Sequence, residues 1–179
     1  MNEMQIHDKV FQTFITEEKI NETVIEIAKR INNDYSDKNP VLVGVLNGAF
    51  IFLADLVRAL NCAPKIGFIA VSSYGDAMKS SGKLSVTMPL NINVINQNVL
   101  VVEDIVDAGH TTEWLRNYLS EQGAKSVKVA TLLFKPDAFQ GKNEPEYCGI
   151  KIANDFVVGY GLDYAGQGRE IREILKLKS

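Results

Sequence analysis

Apolar positions along this chain repeat with two periods, and each period predicts a different element. Ile20, Val24, Ile27, Ala28 and Ile31 recur at the spacing of one buried helix face, and Thr16-Glu17-Glu18 ahead of them supplies a cap and an acidic first turn. This helix is expected to end near Asn32-Asn33. Val41 to Leu46, after Pro40, is a short β-branched run without polar alternation, the pattern of a buried strand. It breaks at Asn47-Gly48-Ala49, and helical spacing resumes from Phe50 to Leu60. Further strands are predicted at Ile66–Ser73, Asn98–Val102, Val127–Phe134 and Phe156–Tyr160. Thr111–Gln122 reads as a helix with Gly123 as its C-cap. Arg169–Leu177 reads as a short strand or helix packed on the body. Between Tyr74 and about Pro89 the chain is rich in Gly, Ser and Lys, which predicts a long polar loop of the kind that serves as a lid or binding loop.

Strand and helix alternate at βαβ spacing, so the expected fold is α/β, a mostly parallel central sheet with helices on both faces. Ligands of such sheets bind beyond the carboxyl ends of the strands. The exits at 46–49, 73–89, 103–112 and 134–137 should therefore share one rim. The 179 residues make one domain by length.

Composition narrows the classes. Hydrophobic residues make up 46% and charged residues 23%, which is globular material with a sizeable core. The net charge is −3, from 19 basic and 22 acidic residues with no basic block, so neither a nucleic-acid partner nor a membrane partner is expected. No apolar run approaches the roughly 20 residues that span a bilayer, and the first residues, MNEMQIHDKVF, lack the pattern of a signal peptide. Cys62 and Cys148 show neither metal-site spacing nor a disulfide framework, which fits a reducing cytoplasm.

The densest chemistry follows the strand at 98–102. Val99-Leu100-Val101-Val102 runs directly into Glu103, Asp104 and Asp107, and Ala108-Gly109-His110-Thr111-Thr112 then opens a helix. A small, hydroxylic turn at a helix N-terminus offers backbone N–H groups, two hydroxyls and partial positive charge, which together suit a phosphate. Gly109 permits close backbone approach or a positive φ. Carboxylates beside a phosphate repel it unless a divalent cation or a sugar diol intervenes. The ligand expected from these residues is a phosphorylated sugar with Mg²⁺. One aspartate here would be no more than a helix cap; the whole block is what argues for a site.

Val-Val-Glu-Asp-Ile-Val-Asp-Ala-Gly-His-Thr closely resembles the motif with which type I phosphoribosyltransferases bind 5-phosphoribosyl-1-pyrophosphate (PRPP). Val43 to Phe50 resembles that family's pyrophosphate loop, and Ser72-Ser73-Tyr74-Gly75 the start of its lid. Leu132-Leu133-Phe134-Lys135 and Phe156 to Tyr164 resemble the base-recognition hood of the hypoxanthine-guanine phosphoribosyltransferases. The resemblance runs from about Val41 to Arg169, with the motifs in the family's order. It implies a core over about 36–134 and a small hood subdomain from about 135–179 plus the N-terminal segment.

The resemblance also implies roles. Glu103 and Asp104 hold the ribose hydroxyls, directly or through Mg²⁺-bound water. Ala108, Gly109, His110, Thr111 and Thr112 surround the 5′-phosphate, with His110 given no chemical part. Asp107 is the catalytic residue, a general base near purine N7. Lys135 reads the exocyclic O6 of a 6-oxopurine, since an ammonium only donates. Phe156 stacks on the purine and Val157 meets it through its backbone. Asp163 borders the purine and, with Glu103 and Asp104, completes the metal ligands. Leu46, Asn47, Gly48 and Arg169 bind pyrophosphate, with a non-proline cis bond often found at the Leu46-Asn47 position. Ser73 and Tyr74 belong to the lid. Two positions depart from the family's pattern: Ala108 stands where a Thr or Ser is usual, and Asn47 where many members have Lys or Arg.

The function implied is purine salvage: phosphoribosyl transfer from PRPP to hypoxanthine or guanine, giving IMP or GMP and pyrophosphate, by a cytoplasmic homodimer or homotetramer. The alternative is a regulator of the same fold that binds nucleotide and RNA. An RNA binder should carry a basic face.

Overall fold

Val41, Val43 and Val45 point to one side of their strand and Leu42 to the other, and this alternation builds the molecule. The structure is a computed structural model that describes residues 3–73 and 84–178. Its elements run β1 (Glu3–Ile6), β2 (Lys9–Ile15), α1 (Glu17–Asp34), β3 (Val41–Leu46), α2 (Phe50–Ala59), β4 (Lys65–Ser73), β5 (Leu84–Met88), β6 (Asn98–Val106), α3 (His110–Glu121), β7 (Ser126–Phe134), β8 (Tyr147–Lys151), β9 (Val157–Val158) and β10 (Ile174–Leu177).

The main sheet has six strands in the order β5-β4-β3-β6-β7-β8. All its pairs are parallel except β4 with β5. Leu42, Leu100, Val102 and Leu132 face α1 and α2, where they meet Ile20, Val24, Ile27, Ile31, Phe52 and Leu56. Val41, Val43, Val99, Val101 and Val129 face the opposite way and meet Leu115 and Leu119 of α3. Helices thus cover both faces, as the sequence predicts. Each fully buried aliphatic side chain in these layers contributes roughly 1.5–3 kcal/mol. Among the described residues no helix is long and apolar enough to cross a membrane.

A second sheet, β1-β2-β10-β9, is antiparallel and joins segments far apart in sequence. It rests on Ile6, Phe11, Val158 and Leu175.

Several boundaries differ from the sequence reading. β1 and β2 were not anticipated, nor was β8. Leu84–Met88, read as loop, is an antiparallel edge strand on β4. The strand expected at Phe156–Tyr160 shrinks to Val157–Val158, and of the two options for the segment after Arg169 the strand is correct. β6 does not stop at Val102 but continues to Val106, because its backbone stays paired with β7 as far as Phe134. Glu103 and Asp104 therefore project from a strand, not from a loop.

The start of α1 is capped as expected: Thr16 Oγ1 accepts from Lys19 N–H at 3.3 Å, with Glu17 and Glu18 in the first turn. Thr16→Ala should lower unfolding stability by about 1 kcal/mol, measured as a shift in the urea midpoint with unchanged slope. No shift would mean that water serves the helix end equally well.

Candidate active site

Because β3, β4, β6 and β7 run parallel, their carboxyl ends lie along one edge, where two adjoining cavities open. The first, of about 380 Å³, is lined by Glu103 and by residues from Ile105 through Thr112. The chain leaves β6, passes Asp107 and Ala108, and turns into α3 at Gly109, whose φ of +82° is left-handed and suits glycine. That residue is the N-cap of α3 and no side chain caps the helix, so its first N–H groups face the cavity region unclaimed by a cap. Thr112 is buried and its hydroxyl donates to the Gly109 carbonyl at 2.9 Å. Its proton is thus spent on the turn, which corrects the expectation that both threonine hydroxyls are free to donate to a ligand. His110 is exposed and Thr111 partly so.

The second cavity, of about 330 Å³, lies between the sheet edge and the second sheet. Gly48 and Asp104 line one side; Phe156, Val157, Leu162 and Asp163 line the other, with Lys135 and Arg169 between them. Asp107 and Ile105 border both cavities. Lys135 is 7% exposed, and its ammonium donates to Asp107 Oδ2 at 3.0 Å and to Asn154 Oδ1 at 3.3 Å. Phe156, by contrast, is 45% exposed. Its ring meets Tyr164 edge-on at 5.7 Å and Phe11 at 6.2 Å, and Lys9 Nζ sits 5.5 Å from its centre. Val157 is buried and its strand is held by Lys176 of β10.

Arg169 pairs with Asp163 at 2.6 Å and donates to the Gly161 carbonyl, also at 2.6 Å. Asp163 in turn accepts from Gly166 N–H at 2.7 Å. The Leu46-Asn47 peptide is cis. Gly48 follows it, and a side chain there would collide with the carboxylate of Asp104. Tyr74 lies outside the described residues, as does the side chain of Ser73, whose backbone ends β4.

The electrostatics set the two strand acids apart. Burial pushes the Glu103 carboxyl well above the usual range, and the neighbouring Asp104 adds to the effect. Asp104 is pushed up to about 6, chiefly by burial, although its hydrogen bond from Ile105 N–H and the charge of Arg169 pull the other way. Two desolvated acids side by side are poorly satisfied by themselves. They suit a hard cation or hydroxyl donors. Among the described residues no three His, Cys, Asp or Glu side chains converge on a point that could hold an ion, so the expected ligands Glu103, Asp104 and Asp163 do not form a ready-made metal centre. A cation here would share its shell with ligand phosphates, the usual habit of Mg²⁺.

Sequence reasoning missed Asn154 and Lys9 as neighbours of the site, whereas Leu162 and Tyr164 lie in the stretch that resembles the hood and were given no individual role. Asn154 carried a faint signal, a polar residue just ahead of Phe156. Lys9 carried none, since its hairpin was not foreseen.

The arrangement is a pocket at a helix N-terminus joined to a cleft with an aromatic wall, on the carboxyl edge of a mostly parallel α/β sheet. The defining pattern of the phosphoribosyl transferase domain matches residues 14–165, and the chain belongs to the phosphoribosyltransferase family, among its hypoxanthine-guanine members. It is 36% identical to the hypoxanthine-guanine phosphoribosyltransferase of Lactococcus lactis over 178 residues, 99% of this chain and 97% of that protein. The crystal structure of a hypoxanthine-guanine phosphoribosyltransferase from Bacillus anthracis superposes with a TM-score of 0.89 at 36% identity, covering 93% of this chain and 98% of that one. The chain is also 39% identical over 173 residues to the bifunctional protein TilS/HprT of Listeria monocytogenes, covering 97% of itself but only 27% of that protein's length. These relatives are named as transferases, which does not favour the regulator reading.

Proposed function

We propose that the protein transfers the 5-phosphoribosyl group of PRPP to N9 of hypoxanthine or guanine, giving IMP or GMP and pyrophosphate in purine salvage. One observation carries this reading: Asp107 borders both cavities and holds the Lys135 ammonium at 3.0 Å. N7 and O6 of a 6-oxopurine lie on one edge of the ring. An acceptor for an N7 proton and a donor for O6, side by side, match that edge.

In the forward direction N9 attacks C1′, the bond from C1′ to the pyrophosphate oxygen breaks with its electron pair leaving on pyrophosphate, and the N7 proton passes to Asp107. Proton transfer of this kind contributes about 10²–10⁴-fold. The first turn of α3 and the 108–112 backbone hold the 5′-phosphate, with Thr111 the hydroxyl best free to help. Glu103 and Asp104 hold the ribose hydroxyls and stabilise positive charge developing at C1′. Phe156 stacks on the base, and the backbone of Val157 borders it beside Asp163. The 46–48 turn and Arg169 receive pyrophosphate; a guanidinium has donors beyond those used on Asp163 and Gly161. Glu103, Asp104 and Asp163 would hold Mg²⁺ only jointly with ligand oxygens and water, and the cation would supply charge neutralisation there. Ser73 and Tyr74 belong to a lid that excludes water. The free thiols of Cys62 and Cys148 support a cytoplasmic setting. The assembly proposed is a homodimer or homotetramer, which sedimentation would test.

The experiment is a coupled assay with PRPP and Mg²⁺ in which hypoxanthine, guanine, xanthine, adenine and uracil are offered separately. Turnover of hypoxanthine or guanine without adenine is the expected result. Ligand binding without turnover of any base would move the regulator reading forward. In the same assay Lys135→Ala should cut the preference for hypoxanthine over adenine about 10- to 100-fold, the scale of one mispaired buried polar group. An unaltered preference would remove Lys135 as the O6 reader.

A further inference from the structure

The segment after β7 leaves the base cleft and returns to the phosphate turn. Lys135 N–H donates to the Val106 carbonyl at 2.9 Å, and five residues later Gln140 N–H donates to the Ala108 carbonyl at 3.0 Å. Between these two anchors the chain makes a tight turn, with Ala138 N–H bonded to Lys135 and Phe139 N–H to Pro136. The turn delivers the Phe139 ring against the backbone of Gly109, so closely that any side chain at Gly109 would overlap the ring. Gly141 stands equally close on the same ring, where a side chain would also collide. The ring's edge meets Phe134, the fully buried last residue of β7, at 5.3 Å and 78°. Beyond Gly141 the segment is tied to α3 itself: Glu113 Oε1 accepts from Lys142 N–H at 3.1 Å and Asn143 N–H at 3.0 Å.

The phosphate turn is therefore backed from behind. Gly109 is the N-cap whose carbonyl accepts from Glu113 N–H and from the Thr112 hydroxyl, and its left-handed φ aims the turn. These bonds hold the carbonyl side of the cap, while no side chain caps its N–H side. The ring of Phe139 packs directly on the Gly109 backbone.

We propose that Phe139 is a positioning residue for the phosphate turn: its ring, wedged between Gly109 and Gly141 and seated on Phe134, holds the backbone N–H groups of 108–111 in register for the ribose 5′-phosphate. Phe139 lines neither cavity, so it acts through Gly109, not by touching a ligand. The base end has holds of its own beside the Ala138 N–H bond to Lys135, because Lys135 is also fixed by β7, by its bond to Val106 and by Asp107. Loss of the ring should thus weaken the phosphate end and spare the base end. This inference rests on the proposed phosphoribosyl transfer.

The test is a steady-state comparison of wild type, Phe139→Ala and Phe139→Leu, varying PRPP and hypoxanthine separately, with calorimetric binding of ribose 5-phosphate as a readout free of turnover. Phe139→Ala should raise KM for PRPP and the dissociation constant for ribose 5-phosphate about tenfold, the size of one weakened hydrogen bond. KM for hypoxanthine and kcat should stay within about twofold. Phe139→Leu, which keeps apolar bulk between the two glycines, should fall between Phe139→Ala and wild type. If Phe139→Ala does not fold, Phe139→Leu carries the test through the same split. A rise in both KM values together, a fall in kcat alone, or no change would overturn the inference and leave Phe139 as ordinary packing. Wild type that binds ribose 5-phosphate but turns over no base would sink the transfer reading instead, and the binding comparison would still judge Phe139.

Discussion

Asp107→Asn should lower kcat with hypoxanthine about 10²–10⁴-fold and leave the dissociation constant for PRPP nearly unchanged. The substitution preserves shape. An asparagine oxygen can still accept from the Lys135 ammonium that Asp107 holds at 3.0 Å, so Lys135 keeps its place and the 106–109 turn keeps its path. What asparagine cannot do is take a proton. The loss should therefore appear in the chemical step, read as a fall in kcat at saturating substrates with PRPP affinity measured separately by calorimetry. The Asp107 carboxylate is about half-exposed, with a side-chain exposure of 52%, so little folding energy is at stake. Turnover within about threefold of wild type would remove Asp107 from the base role.

Gly48→Ala should be nearly as damaging for a different reason. A methyl group at that position would fall on the Asp104 carboxylate. Asp104 cannot easily step aside, because Ile105 N–H holds its other oxygen at 2.9 Å. The turn cannot easily retreat either, since Gly161 lies so close behind the Gly48 carbonyl that no side chain fits between them. One of the two must yield, and each is assigned to a different part of the substrate. A displacement near 1 Å at a reacting centre costs on the order of 100-fold, and kcat/KM for PRPP should fall by at least that much. Far-ultraviolet circular dichroism should show the helices intact. Activity within a few-fold of wild type would mean that the Gly48 and Asp104 positions are not coupled in catalysis.

What could be read from the sequence was what is local. The valine-rich strands β3 and β6 announce themselves because they are buried on both faces, and α1 because its cap, acids and apolar stripe agree. The 103–112 block was legible because strand, acids, turn and helix start lie within a dozen residues. β5 and β8 were not, because Leu84–Met88 is a half-exposed edge and Tyr147–Lys151 contains a glycine and ends in a lysine. The hairpin β1–β2 escaped because its decisive partner, β10, is at the other end of the described chain. For the same reason the site's environment was only partly foreseen. Lys9 reaches Phe156 through that hairpin, and Asn154 reaches Lys135 through a loop, contacts that spacing alone does not encode. Thr112 could be placed near the turn, but its hydroxyl's commitment to Gly109 depends on the helix geometry that follows.

The second sheet sets a timetable as well as a shape. Thr13 pairs with Leu175, and Val157 pairs with Lys176 on that same strand. The elements around the phosphate pocket, β3 to β7, are contiguous and can assemble as neighbours while the chain emerges from the ribosome. The wall proposed to meet the base must wait until β10 has been made and has found β2 across nearly the whole described chain, a slow kind of closure. On the proposed reading, a nascent chain would complete its sugar-phosphate pocket before its purine cleft, and could hold one substrate before it could recognise the other.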